Sequence, residues 1–224
     1  MFAANILITV FAFVMALFLI SLVHELGHYF VARVIMKEPD VKITMGFFGK
    51  TIFNSKRFRV NSLFFFGAYV GNYSDGELNR LHMALLFSAG AFFTFLIAIP
   101  TALYMSGGSL SLGDFIPFLP ASPLRDNLIS VQVTQTGFVF PWLSLATPLD
   151  YFNVFMLYFR MLLPWMIMIP VLPYAYPLKL HGNWHWNPSD GLWVIKSIFN
   201  KITDEEMENA SAAINEKPIS KTDD

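Results

Sequence analysis

Residues 1–23 contain no Asp, Glu, Lys or Arg. An apolar run of this length predicts a membrane-spanning helix, since about 20 residues cross the hydrocarbon core. The helix is expected from about Asn5 to Val34. The pattern then changes. Residues 37–62 carry Lys37, Glu38, Asp40, Lys42, Lys50, Lys56, Arg57 and Arg59. "VKITMGF", "KTIF" and "RFRV" mix β-branched and aromatic residues with charges, and "NSK" at 54–56 reads as a turn. These features predict a β-hairpin or small sheet over about 41–71. A second apolar run, 81–105, predicts another span. Its small-residue patch, Ser88-Ala89-Gly90-Ala91, permits close helix contact. A third span is expected over 151–173, with Arg160 and Pro164 inside it. Between them, 106–150 is a long connector in which "LISVQVTQ" suits a strand and "FVFPWLSLATPL" an interfacial segment. The polar, acidic stretch 201–224 is expected to be partly disordered. Residues 1–200 then form one membrane-embedded domain. The fold class expected is an all-α polytopic membrane protein, with a three-helix core and a hairpin or small sheet after the first helix.

Composition agrees with this reading. The 224-residue chain is 55% hydrophobic and 14% charged, against about 25% charge in ordinary soluble domains. A net charge of -1 gives no reason to expect a nucleic-acid partner. With no cysteine, thiolate chemistry is excluded and a metal would need N and O ligands. The first apolar run lacks a basic leader and exceeds the roughly 7–15 residues of a signal-peptide core, so it is read as part of the mature protein. Lys and Arg cluster after the first span, and no Lys occurs in 106–150. The positive-inside rule then places the hairpin and C-terminus in the cytosol and 106–150 outside. The expected setting is the lipid bilayer of a bacterial cell membrane.

The candidate chemistry sits in "VHELGHYFVARV", 23–34. His24-Glu25-Leu26-Gly27-His28 has H-E-x-x-H spacing, which puts both imidazoles on one helix face. They can share a cation, Zn2+ by this motif, while Glu25 takes the proton of a reacting water. Gly27 keeps that face thin. A water-using site inside a span is resolved if the motif lies near the cytosolic end of the first helix, where water enters. A catalytic zinc needs a third protein ligand and an open position.

At this point "LVHELGHYFVARV" resembles the zinc helix of the site-2 protease family of intramembrane metalloproteases. The resemblance covers most of 6–105 and 160–195. It implies zinc endopeptidase activity on a membrane-spanning substrate, with the zinc held by His24, His28 and, from the D-G motif of "NPSDG", Asp190. Glu25 would be the catalytic base. "FFFGAYVGN" is similar to the strand that pairs with extended substrate, which puts Gly67, Ala68, Tyr69 and Val70 in the substrate site. "SAGAFFTFLIA" takes the place of a G-P-x-x-N motif, with Ala91 for Pro and Thr94 for Asn. The N-x-x-P of the third helix appears as Ile167-Met168-Ile169-Pro170, leaving Asn183 and Asn187 as substitutes for the missing polar contact. There is no room for the PDZ domain of many members.

Other readings stand beside these. Asp190 could instead N-cap a helix over "GLWVIKSIF". His181 and His185, also i and i+4 but without a neighbouring Glu, read as a loop pair near the site. Arg160 is either snorkelling or pairing with Asp150, or supports a polar cavity near Asp190. The chain from Pro173 to Asp190 reads as a re-entrant loop. The competing functions are a degenerate protease-like protein that binds single-span partners, and a metal transporter, which too few intramembrane carboxylates oppose.

Overall fold

The computed structural model describes residues 2–47, 49–65, 67–71, 80–124, 148–173, 175–180 and 183–199, with backbone alone for 2–5, 80, 148, 150, 176–180 and 183–188. Among the described residues, three helices are long and apolar enough to cross a membrane: α1 (Phe2–Phe30), α2 (Arg80–Ser106) and α3 (Pro148–Val171). Their membrane-length apolar windows are Ile6–Ile35, Leu81–Ser106 and Tyr151–Val171. Contacts divide the chain into two compact units, one of Met1–Val23 with Ala91–Ile169 and one of His24–Gly90 with Pro170–Asp224.

The first unit is a packed helical core. Ala12, Ala16 and Ile20 of α1 meet Ala98 and Met105 of α2, and Val154, Leu157, Phe159 and Leu163 of α3. Ala16 and Ile20 have no solvent exposure. Alanine on two facing helices lets their axes approach, and the larger side chains of α3 fill the remaining space.

The second unit begins inside α1. That helix loosens into a π-helical segment, Val31–Ile35, with Met36 N donating to Val31 O and Glu38 N to Ala32 O. Lys37 turns the chain at φ 61, and Arg33 Nη1 donates to Glu38 O at 3.0 Å. Four strands follow: β1 (Lys42–Met45), β2 (Thr51–Asn54), β3 (Phe58–Asn61) and β4 (Ala68–Gly71). Their order is β2-β3-β1-β4; β1 runs parallel to β3 and antiparallel to β4. Ile43 and Met45 of β1 are buried, whereas all of β2 is exposed. Apolar β1 therefore lies inside the sheet and β2 at one edge.

After α3, β5 (Ala175–Leu180) and β6 (Asn183–Pro188) form an antiparallel hairpin that returns the chain to α4 (Asp190–Ile198). One expectation is corrected here. The all-α class is too narrow, because the described residues also hold a mixed four-stranded sheet and this second hairpin. In the stretch after Pro173, Ala175 to Leu180 and Asn183 to Pro188 pair in register as antiparallel strands. "LISVQVTQ", "FVFPWLSLATPL" and 201–224 fall outside the described residues.

Candidate metal centre

All of the site's chemistry lies in the second unit. His24, Glu25 and His28 occupy consecutive turns of α1 and are all buried. Their ligand atoms lie within 4.8 Å of one another. Asp190 comes from the other end of the chain. Its Oδ2 lies 3.1 Å from His24 Nε2 and 3.3 Å from His28 Nε2, and the two Nε2 atoms are 3.1 Å apart.

Three hydrogen-bond-length contacts among three atoms pose a question of protons. His28 Nδ1 donates to the Leu86 carbonyl at 2.7 Å. A carbonyl only accepts, so Nδ1 carries the proton and the Nε2 of neutral His28 offers a lone pair. Asp190 Oδ2 is also an acceptor. The three atoms form a nearly equilateral triangle of lone-pair donors. Ligands at 2.0–2.1 Å in a tetrahedral site stand about 3.3 Å apart. The donor set and its spacing therefore fit zinc. Outside the spanning segments, Asp190 is ionised. Burial works against its charge, but when no cation is bound and His28 and His24 carry protons they hold the carboxyl well below the usual carboxylate range.

Local structure explains how Asp190 arrives. The hairpin brings Ser189 back to the end of α3, where Ser189 Oγ donates to Leu172 O at 2.5 Å. The same Oγ accepts from Leu192 N and caps α4. Ser189, then, is the cap, which frees Asp190 at the first helical position to face the histidines. A Cβ on Gly191 would collide with the Val171 carbonyl, so glycine is needed where α4 crosses the end of α3. Trp193 stacks on Phe87 at 5.5 Å and holds α4 against α2.

Glycines set the opposite wall. A Cβ on Gly27 would meet the Ala89 carbonyl of α2. A Cβ on Gly90 would lie 2.5 Å from His24 Nε2. Gly90 is thus the bare surface against which both imidazoles rest. The small-residue patch hinted at helix contact, but nothing in the sequence tied Gly90 or the Leu86 carbonyl to the histidines.

The remaining expected site residues have mixed outcomes. Gly67 turns the chain at φ 76, and its carbonyl accepts from Gly46 N at 2.8 Å. Ala68, Tyr69 and Val70 form β4, paired on one side to β1 and at an edge of the sheet. Asn183 and Asn187 lie in β6, opposite Leu180 and Tyr176; their side chains, that of His185 and all of His181 are outside the described residues. Thr94, in the first unit, is fully buried. Arg160 binds Asp114 Oδ1 at 2.5 Å, a partner that neither of its expected roles named.

The sequence model of peptidase family M50 matches residues 12–216. The chain belongs to peptidase family M50, the site-2 protease family. No curated protein and no solved structure matches it. M50 peptidases are zinc metalloproteases, and with three apolar helices this M50 chain is an integral membrane metalloprotease. The H-E-x-x-H helix and "NPSDG", 166 residues apart from His24 to Asp190, both lie within the matched region.

Proposed function

We propose that this M50 peptidase cleaves membrane-spanning protein substrates within the bilayer, with His24, His28 and Asp190 as zinc ligands and Glu25 as general base. The observation that carries this reading is the triangle of His24 Nε2, His28 Nε2 and Asp190 Oδ2, with sides of 3.1–3.3 Å, beside buried Glu25. Bound zinc would lower the pKa of a water towards about 7 and polarise the scissile carbonyl. The Glu25 carboxylate accepts the proton of the attacking water and returns it to the leaving amine nitrogen. Leu86 O holds the His28 ring in one tautomer, and Gly90 leaves both rings room to turn their Nε2 atoms together.

A helical substrate hides its amides in internal bonds and must unwind to be cut. The edge position of β4 among the described strands supports its use as a template: an extended substrate can pair with the side of Ala68–Gly71 away from β1. The cationic residues of 37–62 support a cytosolic sheet and tail. The deciding experiment uses purified chain, zinc analysis and tagged single-span candidates. Wild type should hold about one zinc and cleave. Glu25→Gln should keep the zinc and lose roughly 10²–10⁴-fold in rate. Equal cleavage by Glu25→Gln would refute the assignment.

A further inference from the structure

In the first unit, the chain turns back along α2 and α3 after α2 ends at Ser106. Phe115 packs on Phe95 with ring centroids 4.8 Å apart, and Phe118 on Trp165 at 5.1 Å. Phe95 lies eleven residues before the end of α2, about 16 Å back along the helix at 1.5 Å per residue. Trp165 lies fourteen residues beyond the start of the third span at Tyr151, about 21 Å in by the same measure. A hydrocarbon core is about 30 Å thick. Residues 111–122 therefore run beside the middle of both helices.

Non-helical backbone at that depth must satisfy its own polar groups, and six of the ten N–H groups of 111–122 do so within the segment. The N–H groups of Asp114, Phe115, Ile116 and Leu119 donate to carbonyls within it. Those of Ser111 and Ser122 donate to Asp114 Oδ2. Pro117, Pro120 and Pro123 have no N–H to satisfy. Asp114, only 2% exposed, receives Arg160 Nε and Nη2 on Oδ1 and the Ser122 hydroxyl on Oδ2. Arg160 also donates to Ser122 O. A charge in mid-span costs a few kcal/mol unless paired, and here two segment residues meet it. Meanwhile Leu112, Ile116, Phe118 and Leu119 point outward, Phe118 being 73% exposed.

We propose that residues 111–122 form a re-entrant segment embedded in the hydrocarbon, its outer face of Leu112, Ile116, Phe118 and Leu119 covered by lipid acyl chains and its inner face tethered to α3 by the Arg160–Asp114 pair. The occupant follows from continuity: this face extends the exposed apolar surfaces of α2 and α3, including Phe92, Leu96 and Met161, at the same depth. The segment is independent of the metal centre and of any protease assignment.

The chain has no cysteine, so a single nitroxide can report on the full-length protein in lipid nanodiscs. At Phe118→Cys, collisions with oxygen should exceed those with a water-soluble nickel chelate; at Ser109→Cys the order should reverse. Adding Asp114→Asn to Phe118→Cys should raise nickel-chelate access above oxygen access, and Asp114→Glu should restore the original order. Preferential nickel-chelate access at Phe118 in the otherwise unchanged protein would overturn the embedding. Shielding from both reagents would also overturn it, by showing a protein partner in place of lipid. If Asp114→Asn does not fold, Arg160→Lys, which keeps the charge but loses the fork, tests the tether by the same readout. An unchanged profile in the variant that folds would overturn the tether.

Discussion

At Gly90 one hydrogen atom separates a working site from a blocked one. A methyl group there would stand 2.5 Å from His24 Nε2, and the helix backbone beneath it cannot retreat without moving α1 off Ala89. Gly90→Ala should therefore leave helical content by circular dichroism unchanged while cutting zinc content. Proteolytic rate should fall by at least about 10²-fold, as expected for a displacement near 1 Å at a catalytic centre. Full zinc loading and full activity would mean that the imidazoles turn aside at no cost. Asp190→Ala removes the proposed third ligand and should release zinc, whereas Glu25→Gln should not. Metal analysis of the two variants side by side separates a ligand from a proton carrier.

Among the elements, α4 and the β5–β6 hairpin decide where Asp190 stands. Ser189 does two jobs there: it caps α4 through Leu192 N and ties it to Leu172 O. Loss of a cap costs about 1 kcal/mol, so Ser189→Ala should lower the thermal midpoint by a few degrees and weaken zinc retention against a chelator. Ser189→Thr should recover both. A variant equal to wild type in both measurements would show that the hairpin alone positions α4. The hairpin itself can be shortened in whole cross-strand pairs. Replacing 178–185 by a two-residue Asn-Gly turn removes the pairs from Leu178–His185 outward and leaves Ala175–Pro188 to Pro177–Trp186. This variant should keep its zinc, because the joined ends near Leu172 and Ser189 are untouched. Zinc loss would show that the hairpin tip supports the metal centre.

For the whole molecule, the proposed orientation, with sheet and tail in the cytosol, rests on the three spans and the distribution of Lys and Arg. A cysteine at Lys56, in the exposed turn between β2 and β3, should react with an impermeant maleimide only after the membrane is opened. One at Ser109, exposed just after α2, should react in intact cells. The reverse pattern would invert the topology and leave the zinc chemistry unaffected.

Some features of this protein follow from the sequence by itself, because they are local. The three spans follow from unbroken apolar runs longer than a bilayer is thick. The facing of His24 and His28 follows from helical periodicity, and the strands around Lys42–Asn61 follow from alternating apolar and polar residues closed by a turn. Asp190 was legible as a candidate ligand only through a family resemblance, since its 20-residue separation from Pro170 concealed a hairpin that brings the two ends together. Tertiary structure alone decided the rest. Gly90 matters because α2 crosses α1 at Gly27, and Leu86 O sets a tautomer 58 residues away. Arg160 chose Asp114, 46 residues earlier, over any charge nearby in sequence. Each of these contacts joins residues whose spacing carries no period, so only the packing of helices against one another could select them.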